Sequence, residues 1–318
     1  MSNILIFFVV IPLAMMLGLW VSRSLGQVKC VMVSGASLLL ALSIYLVFDF
    51  VGLRNEGNTA EMLYTSSVMW YKPLNIAFSL GVDGISVVML LLSSIIVFTG
   101  VFASWKLKPL TKEYFLWYTL LTIGVYGFFI STDLFTMFMF YEVALIPMYL
   151  LIGVWGSGRK EYSAMKLTLM LMGGSALILI GILSIYYGAG ATTMNILDLS
   201  NIEIPVAIQK TFFPLLFLGF GILGALFPFH TWSPDGHASA PTAVSMLHAG
   251  VLMKLGGYGC FRIAMNLMPE GLAMWGDVFL ILTTISVVYG AFSACVQTDL
   301  KYINAYSSVS HCGLVLFA

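Results

Sequence analysis

Charged residues are scarce in this sequence. Lysine and arginine number 14 and aspartate and glutamate another 14, so that 9% of the 318 residues are charged while 60% are hydrophobic. A soluble domain carries about 25% charged residues. The composition therefore excludes an ordinary soluble protein and predicts a polytopic membrane protein.

Basic clusters and cysteine motifs are also missing. The formal net charge is zero, and no run of lysine and arginine supplies the positive surface that nucleic-acid binding needs. Cys30, Cys260, Cys295 and Cys312 lie far apart in or beside apolar segments, without a C-x-x-C pair. This spacing indicates small buried residues and not metal ligands or disulfide partners. Without an iron–sulfur cysteine set or a G-x-G-x-x-G after a strand, no redox cofactor is expected in this chain.

Long apolar runs, by contrast, are abundant. A membrane-spanning helix needs about 20 apolar residues at about 1.5 Å each. Ten segments meet this length, at roughly 4 to 22, 31 to 52, 80 to 104, 114 to 131, 133 to 156, 162 to 188, 208 to 229, 241 to 266, 273 to 295 and 300 to 318. They are continuous and do not alternate, so helices are expected and barrel strands are not. The first basic residue, Arg23, follows the first run, which predicts a retained span and not a signal peptide.

The distribution of basic residues between the spans predicts their orientation. With the N-terminus outside, nine of them lie at inner ends, namely Arg23, Lys29, Lys106, Lys108, Lys112, Arg159, Lys160, Lys166 and Lys301. Four lie outside, namely Arg54, Lys72, Lys210 and Arg262. The longest polar connection, about 54 to 79, then faces outward, with turns at "EGN" and "YKPL".

Two charged residues fall near the midpoint of a span, Glu142 and Lys254. Each costs about 2.5 to 3.5 kcal/mol at the membrane centre, so a functional site is the first interpretation, and a structural residue kept paired or neutral is the alternative. Pro147 cannot donate to the carbonyl of Val143 and is predicted to break the helix beside Glu142, unless it only kinks it. Lys166, about one turn into its span, is interpreted either as a surface anchor or as part of the site.

The segment "LFPFHTWSPDGHASAPTAVSMLHAGVLMK", residues 226 to 254, concentrates helix breakers and proton-exchanging side chains. The breakers are Pro228, Pro234, Pro241 and Gly236, and the proton-exchanging groups are His230, Asp235, His237 and His248. A broken helix at membrane depth is tolerated only where protein or a water-filled cavity covers it, which indicates an ion path. For a single histidine, a hydrogen bond between helices is the alternative.

Two spans that lie five apart begin alike, with "STDLFTMFMFYE" and "QTDLKYINAYSS". They start from opposite sides by the charge distribution, so they predict an inverted five-helix repeat. Three aspartates at outer helix ends, Asp49, Asp83 and Asp133, are predicted to be solvated caps. His311 lies in the last span among serines that can hold water or bond across helices.

Three stretches carry a resemblance to a known family: "DLFTMFMFYEVALIPMYLLIGVWG", "FPFHTWSPDGHASAPTAVSMLHAGVLMKLGGYG" and "QTDLKYINAYSSVSH". They are similar to the antiporter-like membrane subunits of respiratory complex I, NADH:quinone oxidoreductase, closest to the subunit M type. The same superfamily includes subunits of Mrp-type antiporters and membrane-bound hydrogenases. The resemblance implies about fourteen helices in two inverted five-helix bundles with a broken seventh helix, so that the ten found here would belong to a longer chain.

The resemblance also implies a proton-translocating subunit. Glu142 corresponds to the family's essential glutamate, Lys254 to its central lysine and His311 to a histidine that joins two half-channels. We expect His230, His248 and His311 to connect to Lys254 through water, with Lys166 as a further candidate of the site. The family's lysine that pairs with the glutamate is replaced by Leu223. Glu142 is therefore expected to be protonated, to pair with Lys166, a histidine or Lys254, or to find its partner in another subunit.

The sequence thus predicts an all-α membrane protein with a three-helix segment at 1–110, a first five-helix bundle at 111–270 and the start of a second bundle at 271–318. We expect it in a bacterial inner membrane beside other complex I membrane subunits, including further antiporter-like subunits. NADH, FMN, iron–sulfur clusters and quinone would lie in partner subunits. The alternatives are an Mrp-type cation/proton antiporter or hydrogenase subunit, and a structural or assembly module that conducts nothing.

Overall fold

Helices dominate the computed structural model, which describes residues 4–317. In chain order they are α1 (Phe7–Val21), α2 (Leu25–Asn55), α3 (Gly84–Ala103), α4 (Thr111–Ile130), α5 (Leu134–Trp155), α6 (Lys160–Gly188), α7 (Ile196–Leu199), α8 (Val206–Leu223), α9 (Trp232–Ser239), α10 (Thr242–Leu247), α11 (Met253–Gly259), α12 (Pro269–Cys295) and α13 (Leu300–Phe317). Within the described residues, eight of these, α1 to α6, α8 and α12, are long and apolar enough to cross a membrane. All eight coincide with predicted spans.

The other two predicted spans are also helical but more polar. One is α13. The other, 242–267, is a continuous helical run in which π-helical turns at His248–Leu252 and Cys260–Met265 flank α11. A π turn closes its hydrogen bonds over five residues instead of four and is frequent at functional sites. Lys254 lies in the short α-helical stretch between the two π turns.

The helix break lies in the proline-rich segment, as predicted, but the helices on either side of it end and begin at different residues than expected. α8 ends at Leu223 and not at 229, and the chain turns through 224–231 before α9 begins. Pro228 lies in this break, whereas Pro234 lies in the first turn of α9, where proline is tolerated because the first amides of a helix have no intrahelical acceptor. The break predicted at Pro147 is wrong, since α5 continues through that residue.

A β-hairpin replaces part of the predicted outer loop. β1 (Leu63–Tyr71) pairs antiparallel with β2 (Ile76–Val82), and the turn between them falls on the "YKPL" sequence. β2 occupies the start of the predicted third span, so that α3 begins at Gly84 and not at 80. The sequence interpretation missed these strands because the apolar residues of β2 run directly into those of α3.

α5 and α13 begin on opposite sides of the bundle, as the inverted repeat predicted. The Asp133 side chain caps the start of α5 beside the hairpin, where one oxygen accepts from the Ala77 amide at 3.2 Å. At the start of α13, Lys301 donates to the carbonyl of Ala240 at 3.1 Å. The neighbouring Ser239 carbonyl accepts from the amide of Ser157, two residues past the end of α5, so the start of α13 lies beside the end of α5.

Two groups of side chains differ in burial from the expectations. Asp133 is buried and not solvated, because its carboxylate is enclosed by the hairpin and its own helix. Cys260 and Cys312 are buried as predicted, while Cys30 and Cys295 are exposed, and all four are free thiols.

α4 is the most enclosed of the eight spans and packs between α1, α3 and α5.

The close approach of α4 to α5 depends on Gly124. A methyl group added there would lie 2.6 Å from the Ala144 backbone nitrogen, so one of the two backbones has to move. We expect Gly124→Ala to destabilise the fold by about 1 to 3 kcal/mol, seen as a lower melting temperature of the purified protein. Gly173→Ala on α6 is the matched control, because nothing lies within 4 Å of its added methyl group. Equal melting temperatures for the two variants would contradict this packing.

Candidate functional site

Lys254 projects from α11 into a polar region inside the bundle. Its side chain is partly buried and its ammonium donates to the carbonyl of Ala249. That carbonyl lies in the π turn five residues earlier, so the irregular backbone supplies an acceptor that a regular helix would use internally. The Cys312 thiol on α13 lies within reach of the same ammonium. A cation deep in a span is thus held by backbone and thiol and not by a carboxylate.

Two histidines lie next to Lys254, close enough for its charge to act on both. The rings of His237 on α9 and His248 in the first π turn stack with centroids 4.2 Å apart. Trp232 stacks on the other face of His248 at 5.3 Å. His237 Nδ1 lies 3.1 Å from the Ser245 hydroxyl. Both histidines are buried, so their positions are set by ring packing and one hydroxyl.

Three ring nitrogens of this pair are without hydrogen bonds to protein within residues 4–317. They are Nε2 of His237 and both nitrogens of His248. Buried polar atoms are normally paired, and exceptions call for an explanation. Imidazole nitrogens beside a lysine can accept and release protons, so this cluster can pass a proton to or from Lys254.

An ion pair between Lys166 and Asp235 lies between this cluster and the surface that bears the α5–α6 turn. Lys166 Nζ on α6 is 2.7 Å from Asp235 Oδ2 on α9, and both side chains are partly buried. The Tyr302 hydroxyl on α13 donates to the other aspartate oxygen at 3.4 Å. Together with Tyr302, the pair joins three helices, so the Lys166 ammonium is bound to α9 within the bundle.

His230 lies in the break between α8 and α9, apart from the stacked histidines. It is buried between aromatic rings, with centroids 5.6 Å from Phe227 and 4.9 Å from Tyr289. It is near enough to Lys166 for that charge to act on it. The structure therefore places His230 on the Lys166 side of the site.

Glu142 lies at the edge of the bundle. It is half-buried on α5, on the same helix face as the exposed residues Met139, Ile146 and Tyr149. Its Oε1 atom is buried and has no hydrogen-bond partner among the residues that the structure describes. The predicted pairings of Glu142 with Lys166 or Lys254 are not found in this structure, because those ammonium groups bind Asp235 and the Ala249 carbonyl.

Two other residues singled out from the sequence lie at different depths. Leu223, at the position of the family's lysine, is completely buried at the end of α8. The His311 side chain is exposed on α13, while its neighbour Cys312 points inward toward Lys254. Of the residues predicted from the sequence, Lys254, His248 and Lys166 therefore lie around α9 to α11. Glu142 and His311 lie on the outer faces of α5 and α13.

Sequence reasoning gave little weight to several residues of this region. Asp235 and His237 were predicted as proton-exchanging groups of the proline-rich segment but were not assigned partners, and the structure shows them as the ion-pair partner of Lys166 and the histidine stacked on His248. Tyr258 and Arg262, which follow Lys254 on the same helical run, were not singled out as site residues. Their spacing of four and eight residues after the lysine places all three on one helix face, which was the available signal.

Residues 131–318 match a family described as NADH:quinone oxidoreductase/Mrp antiporter, transmembrane. The chain is 33% identical over 279 residues to NAD(P)H-quinone oxidoreductase chain 4 2 of Microcystis aeruginosa, covering 87% of this chain and 50% of that one. It is 35% identical over 283 residues to the chloroplastic chain 4 of Chara vulgaris, covering 87% and 57%. The chain thus spans about half the length of the curated relatives it matches.

Solved structures share the fold. A chain of respiratory complex I from Thermus thermophilus with bound NADH superposes with a TM-score of 0.86 at 25% identity, over 98% of this chain and 63% of that one. A chain of the Mrp complex from a Dietzia species superposes with a TM-score of 0.82 at 22% identity, over 99% and 58%. A chain of an archaeal membrane-bound sulfane sulfur reductase gives 0.85 at 22% identity, over 100% and 64%.

The Lys166–Asp235 pair can be tested by a double-mutant cycle. We expect Lys166→Met and Asp235→Asn each to lower the melting temperature, and the double variant to lose less than the sum. The coupling should be about 1 kcal/mol, because the pair is only partly buried. Lys160→Met is the control, since its ammonium donates to the Val154 carbonyl, and it should be additive with Asp235→Asn. Additivity of Lys166→Met with Asp235→Asn would show that the pair does not form.

Proposed function

Because the chain belongs to the NADH:quinone oxidoreductase/Mrp antiporter membrane family, we propose that it moves protons across the membrane as a subunit of an NADH:quinone oxidoreductase. The observation that carries this proposal is the placement of Lys254. A lysine lies inside a membrane-spanning bundle, close enough to two buried histidines with unpaired ring nitrogens for its charge to act on them. Buried ionisable groups of this kind mark proton relays.

In the proposed mechanism Lys254 holds the transported proton. His248 and His237 exchange it with the side of the membrane that bears the α5–α6 turn, since their rings lie between Lys254 and the region of the Lys166–Asp235 pair. Opening and closing of that ion pair changes the charge near His230 and the stacked histidines. A change of charge close to a proton carrier alters its proton affinity, which provides a switch.

Glu142 acts in this proposal from the edge of the bundle. Its buried oxygen has no hydrogen-bond partner in the described part of the chain, and exposed apolar side chains flank it on the same face. A group in that position can receive its partner from an adjacent subunit, which would link the charge state of one subunit to the next. Leu223 supports this arrangement, because the partner that the family places on α8 is not a base here.

The energy for transport would come from partner subunits. NADH, FMN, iron–sulfur clusters and quinone would lie there, and other membrane subunits, including further antiporter-like ones, would flank this chain. We place it in a bacterial inner membrane with its N-terminus outside, in accordance with the distribution of lysine and arginine. In this proposal the chain acts as the translocating part of the enzyme.

Sodium is the second candidate ion, because the family also includes Mrp antiporters. The groups around Lys254 favour the proton. An ammonium, two imidazoles and a thiol exchange protons, whereas sodium prefers oxygen ligands, as other hard cations do. Proton pumping in sodium-free buffer would support the proton, and pumping that requires sodium would support the antiporter alternative.

Lys254→Met should abolish proton pumping by the assembled complex in sealed vesicles, because methionine keeps the volume but cannot carry a proton. The measurement is the number of protons moved for each quinone reduced. Lys210→Met is the matched control, since Lys210 is exposed near the start of α8, and it should pump normally. Normal pumping by Lys254→Met in a complex of normal composition would refute the proposed function.

Glu142→Gln should reduce pumping by about tenfold, because it removes a charge that tunes the carriers while preserving size and hydrogen bonding. Glu113→Gln, an exposed position in the first turn of α4, is the control. The same assay in sealed vesicles applies. Pumping rates that are equal in Glu142→Gln and Glu113→Gln would exclude a tuning role for Glu142.

A further inference from the structure

A second polar cluster lies beyond Lys254, at the side of the bundle that carries the hairpin. Arg262, in the second π turn, forms an ion pair with Glu61 at 2.8 Å and lies 3.9 Å from Asp83. The arginine and Asp83 side chains are 13% and 14% exposed, while Glu61 is 50% exposed. The cluster therefore reaches from the interior to the surface.

Asp83 is fixed in its position by the start of α3. Its Oδ1 accepts from the Ser86 amide at 2.7 Å, and the Ser86 hydroxyl accepts from the Asp83 amide at 2.8 Å, which forms a closed cap. Oδ2 is left to face Arg262. Asp83 Oδ1 thus caps α3, whereas Oδ2 is available to accept a proton or to pair with Arg262.

Tyr258 lies between Lys254 and Arg262 in the sequence, four residues from each on the same helical run. It is 3% exposed, and its ring packs edge-on against Phe128 at 6.2 Å and Phe129 at 5.5 Å. Its hydroxyl is close enough to Asp83 and Arg262 for both charges to act on it. The Ser86 hydroxyl lies near it as well, but in the part of the chain that the structure describes the Tyr258 hydroxyl makes no hydrogen bond of normal geometry. A buried phenol with unused hydrogen-bonding capacity thus points at a charged cluster.

The spacing along the helix connects these groups. Lys254, Tyr258 and Arg262 follow at intervals of four residues, and four residues advance a helix by about 6 Å. From Lys254 to Arg262 the rise is about 12 Å, close to the half-thickness of a hydrocarbon layer of about 30 Å. The three side chains therefore cover the distance from the middle of the membrane to its surface.

Arg262 also has unused donors. Its Nε and Nη2 atoms are buried and make no hydrogen bond across 4–317, although Nη1 binds Glu61. If Arg262 served only to tie its helix to the hairpin, the ion pair with Glu61 would be enough. Asp83 and the buried Tyr258 hydroxyl beside it would not be needed. The unused donors and the Tyr258 hydroxyl are instead groups to which water could bind and along which it could pass a proton.

We propose that Tyr258, Asp83 and Glu61 form a proton exit from Lys254 to the hairpin side, with Arg262 as its gate. This inference rests on the proposed function. The Lys254 ammonium gives one proton through water to the Tyr258 oxygen, while Tyr258 releases its own proton to the Asp83 carboxylate. Asp83 then passes a proton to Glu61 and the outer solution. Lys254 ends neutral, Tyr258 and Asp83 are regenerated, and one proton appears outside.

Arg262 controls the outward step through its position between the two carboxylates. While it binds Glu61, its positive charge lies beside the route and opposes a proton that enters from outside. With the histidines and the Lys166–Asp235 pair on the other side, Lys254 would be reachable from both surfaces within one bundle. The direction of transport would then depend on which of the two polar regions is open.

The test is Tyr258→Phe in the intact complex, with pumping measured in sealed vesicles. Phenylalanine keeps the packing against Phe128 and Phe129 and removes only the hydroxyl. We expect about a tenfold loss of protons moved per quinone reduced. Tyr118→Phe is the matched control, since Tyr118 on α4 is also fully buried with an unpartnered hydroxyl in the described structure, but its polar neighbours are Tyr114 and Tyr126.

The outcomes separate this inference from the proposed function. Loss of pumping in Tyr258→Phe with normal pumping in Tyr118→Phe supports the exit. Equal pumping in Tyr258→Phe and wild type, or equal losses in both tyrosine variants, overturns it. If Lys254→Met fails to pump while Tyr258→Phe pumps normally, only the exit is wrong. If Lys254→Met also pumps normally, the proposed function itself is wrong.

Discussion

Lipid cannot form a hydrogen bond with an ammonium group or a backbone carbonyl, so each polar group within the spans must find its partner in the protein. At Lys254 the protein meets this requirement with its own backbone. The π turn before α11 leaves the Ala249 carbonyl available, and the lysine uses it. The π turn leaves a carbonyl without its usual amide donor, and the Lys254 ammonium needs an acceptor. The hydrogen bond between them satisfies both groups.

The same constraint explains the break between α8 and α9. A chain that stops its helix at Leu223 exposes carbonyls inside the bundle, and some of them are taken up locally, as where the Trp232 indole donates to the Ile222 carbonyl at 3.1 Å. α9 then presents Asp235 to Lys166 and His237 to His248. Because of the break, the short helix α9 can place Asp235 and His237 inside the bundle, next to Lys166 and His248.

Much of this arrangement could be predicted from the sequence. All ten apolar runs fall on helices of the described residues, because about 20 apolar residues are needed to cross the hydrocarbon layer, while the short helices α7 and α9 lie outside these runs. The midpoint positions of Glu142 and Lys254 identified both as exceptions, and the prolines located the break. The hairpin could not be seen, because β2 and α3 form one apolar run. The sequence left open whether Pro147 breaks α5 or only kinks it, since neighbouring helices can stabilise a helix around a proline.

By itself the sequence determined the class of protein, the positions of the ten apolar spans, the opposite starting sides of α5 and α13 and the two charges near the middle of a span, because all of these follow from hydrophobicity and charge along the chain. Only the tertiary structure decided which charged side chains pair with each other. Lys166 binds Asp235, 69 residues away, while Glu142 has no partner in residues 4–317, and Arg262 reaches Glu61 beside the hairpin. Pairing depends on which helix faces meet, and hydropathy is nearly uniform around these helices, so it does not specify which face turns inward.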